Sequence, residues 1–253
     1  YDPAKQTWQY IQDVLLSDKT RKGITGFYQL GDSIYVNSDF GVSLFLRSRF
    51  EFRETYSKFG SFPSSIRVNS LTIAGGRIWV ATSSGVASAD LKNLNLSAPT
   101  AWTTATVADG LPSSRANALA YFNGTIYVGT DAGLARLGQS SWQLVAALGA
   151  RQITRLALIG SRLYVAGTTE VYSVGIDGGV TSVGPNLLAT INDIANDGSG
   201  NVVLGVDKNG LAFLRGSAWS FKFPNGPASN LFISLKVDTA GVLWAASGIN
   251  DRG

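Results

Sequence analysis

The sequence predicts an all-β propeller, and three observations predict it. A short apolar strand returns six times, at Ile34-Tyr35-Val36, Ile78-Trp79-Val80, Ile126-Tyr127-Val128, Leu163-Tyr164-Val165, Val203-Leu204 and Leu243-Trp244. The steps between copies are 44, 48, 37, 40 and 40 residues, the period of a four-stranded blade. A turn rich in Gly, Asp or Asn precedes each copy, as a hairpin needs. Repeat units bury their apolar faces only against neighbours, so residues 1–253 read as one domain.

The third repeat shows the blade most clearly. Ala116 to Tyr121 alternates small and apolar residues and makes the inner strand. Asn123-Gly124 is a type I′ turn signal. Thr125 to Gly129, Gly133 to Leu137 and Trp142 to Val145 supply the other three strands. Small side chains at Ala116, Ala118 and Ala120 suit a crowded axis.

The other inner strands are expected to begin near Ile24, Val68, Ile153, Ile191 and Leu231. Their hairpins fall at Gly31-Asp32, Gly75-Gly76, Gly160-Ser161, Asp197 to Gly200 and Asp238 to Gly241. Phe52, Trp102, Trp142, Val183 and Trp219 mark the outer strands. Thr7 to Ile11 reads as an orphan strand that closes the last blade, which would remove the exposed edges of an open ring. About six blades are expected, with a seventh as the alternative if flanking sequence contributes.

Composition excludes several function classes. Cys, His and Met are absent, so no disulfide framework, thiolate or imidazole metal site or His-based catalysis can be housed in these residues. No cofactor is expected. The net charge of +4 and the lack of any Lys/Arg run beyond two residues argue against nucleic acid as a partner. No apolar run approaches a membrane span, and Tyr1-Asp2-Pro3-Ala4-Lys5 is not a signal peptide. The chain is expected to be a piece of a larger exported bacterial protein.

Asp109-Gly110-Leu111-Pro112-Ser113-Ser114, the inner strand, and then Ile126 to Leu134 resemble the repeat of the two-component-regulator propeller family. Weaker copies lie at Phe62 to Ser65 with Ile78 to Val86, and at Gly226 to Asn230 with Leu243 to Ser247. The fourth and fifth repeats lack the Asp-Gly-Leu-Pro segment, and Glu170 stands where the pattern has Gly. The resemblance implies a non-catalytic, extracytoplasmic module in one of two settings. One is the periplasmic sensor region of a hybrid histidine kinase that detects glycan fragments. The other is a secreted or surface protein, including PorZ-like components of type IX secretion. The expected partner is therefore a glycan or a protein, and a polysaccharide lyase or hydrolase is a third, disfavoured alternative.

Repeat symmetry also places basic residues at one mouth of the channel. Lys22 (with Arg21), Arg67, Arg115 and Arg151 each lie 11 or 12 residues before the second strand of their repeat. Guanidinium forks recognise carboxylate or phosphate, so an anionic saccharide is the expected ligand there. The competing reading is ordinary solvated loop residues. Phe40, Phe59 and Phe62 are candidate loop aromatics that would stack on a sugar or anchor a partner. Their competing reading is local packing. Asp193, Asp197, Ser199 and Asn201 loosely resemble a calcium loop but lack its bidentate Glu, and a hairpin turn explains them. Asp39, Asp131 and Asp207 follow the second strands and are expected to lie too far apart to form a catalytic pair.

Overall fold

The computed structural model describes residues 6–8, 11–184, 189–223 and 232–247. It contains five four-stranded antiparallel sheets, each meandering in chain order, and one two-stranded sheet. Blade 1 consists of strands Ile24–Leu30, Ser33–Ser38, Gly41–Leu46 and Glu51–Tyr56. Blade 2 runs through Val68–Ala74, Arg77–Thr82, Gly85–Asp90 and Trp102–Ala105. Blade 3 runs through Ala116–Phe122, Thr125–Thr130, Gly133–Leu137 and Trp142–Leu144. Blade 4 has Arg155–Ile159, Arg162–Ala166, Val171–Val174 and Val180–Ser182. Blade 5 has Ile191–Asn196, Val202–Val206, Gly210–Arg215 and Ala218–Lys222. Successive inner strands pack side by side around the axis.

Among the described residues the expected six or so blades are corrected to five and a partial sheet, Phe232–Val237 with Leu243–Ser247. The segment expected to follow, residues 248–253, lies outside the described residues, as does the Gly226–Asn230 copy of the lead-in motif. The expected closing strand falls partly on residues 9–10, also outside them. Of its described part, Thr7 makes an isolated bridge, and Asp13–Leu16 forms one helical turn instead of leading straight into blade 1.

Cores form between blades, as repeat packing requires. Blade 1 meets blade 2 through Tyr35, Val42, Ile78 and Val80, sealed by Tyr56, Phe59, Phe62 and Trp102. Blade 2 meets blade 3 through Ala81, Val86, Leu119, Val128 and Trp142. The alanines at the axis are buried: Ala116 is 0% exposed and Ala118 4%. Asn123 and Gly124 both have positive φ, +46° and +80°, as the I′ turn demands.

The loop aromatics are a second correction. Phe40, Phe59 and Phe62 are 6%, 0% and 4% exposed. The segment between blades 1 and 2 folds back over the core, and Phe59 meets Trp102 edge to face at 4.7 Å. These rings supply packing, so Phe40 and Phe62 present no face for stacking a ligand.

Candidate functional site

The lead-in segment of blade 3 is architecture. Thr106 and Asp109 form a capping box around a short 3₁₀ turn, and Gly110 follows at φ +94°. Leu111 is buried in the core between blades 2 and 3. The chain is thereby fixed where it enters the inner strand, and Arg115 is set at the rim.

A bulge then recurs near the start of the inner strands. The ladder register shifts between Ile24 and Gly26, Val68 and Ser70, and Ile191 and Asp193. In blade 3 it shifts opposite Ala116 and Ala118. A bulged residue leaves its own ladder, so its side chain is free to bond elsewhere. Thr25 donates to the Val68 carbonyl of the next blade. Asn69 donates to the Ala116 carbonyl at 2.8 Å, and Asn117 to the Ile153 carbonyl at 3.0 Å. A relay of polar side chains thus joins blades 1 to 4 around the channel. Asn192, at the same place in blade 5, has a buried Nδ2 with no partner among the described residues.

The rim above this relay holds a cavity of about 360 Å³, lined by Arg67, Arg115, Gln152, Arg155 and the bulge residues. A deeper cavity of about 300 Å³ shares Thr25, Asn69, Asn117 and Arg155 and adds Asn37, Asp193 and Lys236. Asn37 is 3% exposed, and its Oδ1 accepts no hydrogen bond among the described residues.

The predicted cations divide at this point. Arg67 and Arg115 line the mouth. Arg151 does not line it: it donates to the Leu148 carbonyl at 2.6 Å, pairs with Glu170 at 3.2 Å and lies 5.6 Å from the Tyr172 ring centre. Lys22 donates to the Leu15 carbonyl at 2.6 Å. Neither Arg21 nor Lys22 lines the mouth cavity.

Each rim arginine also has an acid. Arg67 pairs with Asp39 of blade 1, and its Nε donates to Asn69 at 3.0 Å. Arg115 Nε stands 4.0 Å from Asp131, the longest ion pair at the mouth. Arg155 stands 3.5 Å from Asp193. Sequence reading identified Asp39 and Asp131 but not their role, which is to pair with cations rather than with each other. It noted Asp193 only as part of a calcium-like turn, and it missed Arg155, Asn69, Asn117 and Gln152. The recurrence of Thr or Asn at the second position of four inner strands (Thr25, Asn69, Asn117 and Asn192) was the available signal.

The two channel acids titrate in opposite directions. Burial alone would raise the Asp131 carboxyl, but hydrogen bonds from Asn117 (2.8 Å) and Gln152 (2.9 Å) and the charge of Arg115 outweigh it and hold it below the usual carboxylate range. Burial dominates at Asp193 and pushes it up, against Arg155 and the Leu235 and Ile194 amides. The ionised form of Asp131 therefore stabilises the fold above the ordinary value of 3.8, and that contribution is lost as pH falls through the lower folded value. Asp193 has the opposite sign. Asp131→Asn is expected to be less stable than the parent protein at neutral pH, with the gap narrowing as pH falls below the ordinary value of 3.8. Urea unfolding across that range checks it, and a gap that persists at low pH contradicts it.

The calcium-like cluster also divides. Asp193 belongs to the channel, while Asp197 accepts from the Ser199 and Asn201 amides (2.9 and 3.1 Å) and from Asn201 Nδ2 (2.8 Å) within the hairpin.

No protein-family model and no curated protein matches this chain. Solved structures do match its fold. The extracellular domain assigned to a hybrid two component system, BT4673 of B. thetaiotaomicron, matches with TM-score 0.76 at 14% identity, over 92% of this chain and 33% of that one. PorZ, a surface component of the type-IX secretion system of Porphyromonas gingivalis, matches with TM-score 0.62 at 18% identity, over 90% of this chain and 30% of that one. A chain of the mitotic checkpoint complex matches with TM-score 0.67 at 11% identity, over 91% of this chain and 73% of that one. At such identities the likeness establishes the propeller fold alone. The chain spans about a third of the length of the first two. Both lie within the settings that the repeat's resemblance to two-component-regulator propellers implies. No helix among the described residues is long and apolar enough to cross a membrane.

Proposed function

We propose that this domain is a non-catalytic, extracytoplasmic recognition module whose channel mouth binds an anionic group of a surface glycan. The observation that carries the reading is the convergence of Arg67, Arg115 and Arg155, from three successive blades, on one cavity with amide donors beside them. Guanidinium and amide donors together suit a carboxylate or sulfate. Because each arginine already faces an acid, the ligand competes for the donors, and the loosely held Arg115 is the first it engages. Arg151, Arg21 and Lys22 lie outside the cavity and contribute at most long-range attraction.

The test is calorimetric titration of the protein with keratan sulfate, a sulfated glycan that lacks uronate, repeated on Arg67→Ala/Arg115→Ala. Affinity is expected to fall about tenfold or more, the equivalent of one or two charge-assisted hydrogen bonds. Unchanged affinity in the double variant contradicts the reading.

A sensing role is the second reading. It draws on the likeness to the BT4673 extracellular domain at TM-score 0.76 and on the implied setting of the repeat. A membrane span and kinase in the gene beyond Gly253 would select it, whereas a sorting region there would select a secreted or surface component.

A further inference from the structure

A third cavity lies at the opposite end of the blades, in the cleft between blades 2 and 3. It encloses about 660 Å³ beside the Gly75 and Gly124 hairpins, lined among others by Arg77, Trp79, Tyr121, Arg136, Gln139 and Gln143. An adjoining pocket of about 450 Å³ shares Arg77 and Trp79 and reaches Trp142. Neither the repeat motif nor the mouth accounts for this cleft.

Three features give it a chemistry. The first is charge. Arg77 donates to the Ser88 and Thr103 hydroxyls at 2.9 and 3.2 Å and lies 5.7 Å from the Trp79 ring centre, all neutral partners. The Arg136 side chain makes no ion pair or hydrogen bond among the described residues, and no carboxylate lines the larger cavity. The mouth arginines are paired with acids, whereas these two are in no ion pair among the described residues; Asp109, the carboxylate of the adjoining pocket, accepts from the Thr106 amide in the capping box.

The second is unspent donors. Trp102, Trp219 and Trp244 each donate an indole N–H to a carbonyl or carboxylate. Trp79 and Trp142, edge to face at 6.4 Å, donate to nothing among the described residues. Neither indole nitrogen is among the buried unpartnered atoms of the described residues, so both are open to an acceptor from outside. The third is an aromatic face: Tyr121 is 46% exposed beside the glutamine amides.

A ligand that fits must offer many oxygen acceptors, a flat C–H face and a negative charge. We propose that the cleft between blades 2 and 3 is a binding site for a uronate-containing saccharide. Its pyranose face packs on Tyr121, its hydroxyl and ring oxygens accept from the indole and glutamine N–H groups, and its carboxylate meets Arg136 and Arg77. A neutral saccharide leaves both guanidinium charges unanswered, and an acidic peptide lacks the pyranose face. The inference is independent of the mouth.

The probe is trigalacturonate, titrated calorimetrically, with cellotriose and triglutamate as the neutral and peptidic comparisons. Trigalacturonate is expected to bind most tightly and to change tryptophan emission, and Trp79→Phe to reduce that change. Arg136→Ala and Tyr121→Ala alter exposed side chains, so both are expected to fold, as circular dichroism verifies. Each is expected to weaken the tightest binding step about tenfold, while Arg67→Ala/Arg115→Ala removes only a separate, weaker step at the mouth. No binding of trigalacturonate, equal binding of triglutamate, or full affinity in both Arg136→Ala and Tyr121→Ala overturns the proposal. Loss only in the mouth variant overturns it while leaving the mouth reading intact.

Discussion

Gly85→Ala is expected to destabilise the domain by about 3 kcal/mol, lowering its melting temperature by roughly 6–12 °C. Gly85 opens the third strand of blade 2 at φ +135°, where an L side chain is strained. An added Cβ would overlap the Ala105 carbonyl oxygen and come within 2.9 Å of the Phe62 ring. Gly41 and Gly133 open the third strands of blades 1 and 3 at +133° and +136°. The same backbone demand thus recurs with the repeat and explains its Gly. Blade 4 meets the turn differently: Glu170 is not at positive φ, and its carboxylate serves Arg151 and Tyr172. Gly75→Ala is the control, because its φ is +59° with nothing within 4 Å. It is expected to cost only about 1 kcal/mol. Thermal unfolding of the two variants side by side decides it, and equal losses contradict the account.

Phe62→Ala is expected to cost about 3–5 kcal/mol while leaving anion affinity of the folded protein unchanged. The ring is 4% exposed and sits in the core joining blades 1 and 2, with Phe59 and Trp102. Trp102 is held there by an indole bond to the Leu96 carbonyl at 2.8 Å. A ring used for ligand stacking would give the reverse pattern, within about 0.5 kcal/mol in stability and a clear loss of binding. Urea unfolding and a parallel titration separate the two.

The strands were legible because their signals are local. The apolar copy at Ile126 to Val128 and the Asn123-Gly124 turn lie within a few residues of each other, and the observed hairpin follows them. The positions of Arg67 and Arg115 were legible too, since repeat symmetry carries a rim position from blade to blade. What neutralises them was not. Asp39 belongs to blade 1 and Arg67 to blade 2, so the pair exists only once the blades pack. The sequence of Phe59 and Phe62 reads as loop, and only the fold-back of that loop shows them to be core. Arg155 escaped notice because it sits within an inner strand, where the blade pattern calls for a packing residue. The cleft was hidden for the same reason as the ion pairs, because Trp79 and Trp142 come from different blades.

The central claim is that the channel mouth recognises an anion through its arginines. A glycan array read at low and at physiological salt, with the parent protein and Arg115→Ala side by side, tests it most directly. The account predicts that the parent protein retains sulfated or carboxylated glycans, that retention weakens as salt screens the charges, and that Arg115→Ala retains less at both salts. Retention of neutral glycans alone, or anion retention indifferent to both salt and Arg115, would contradict it.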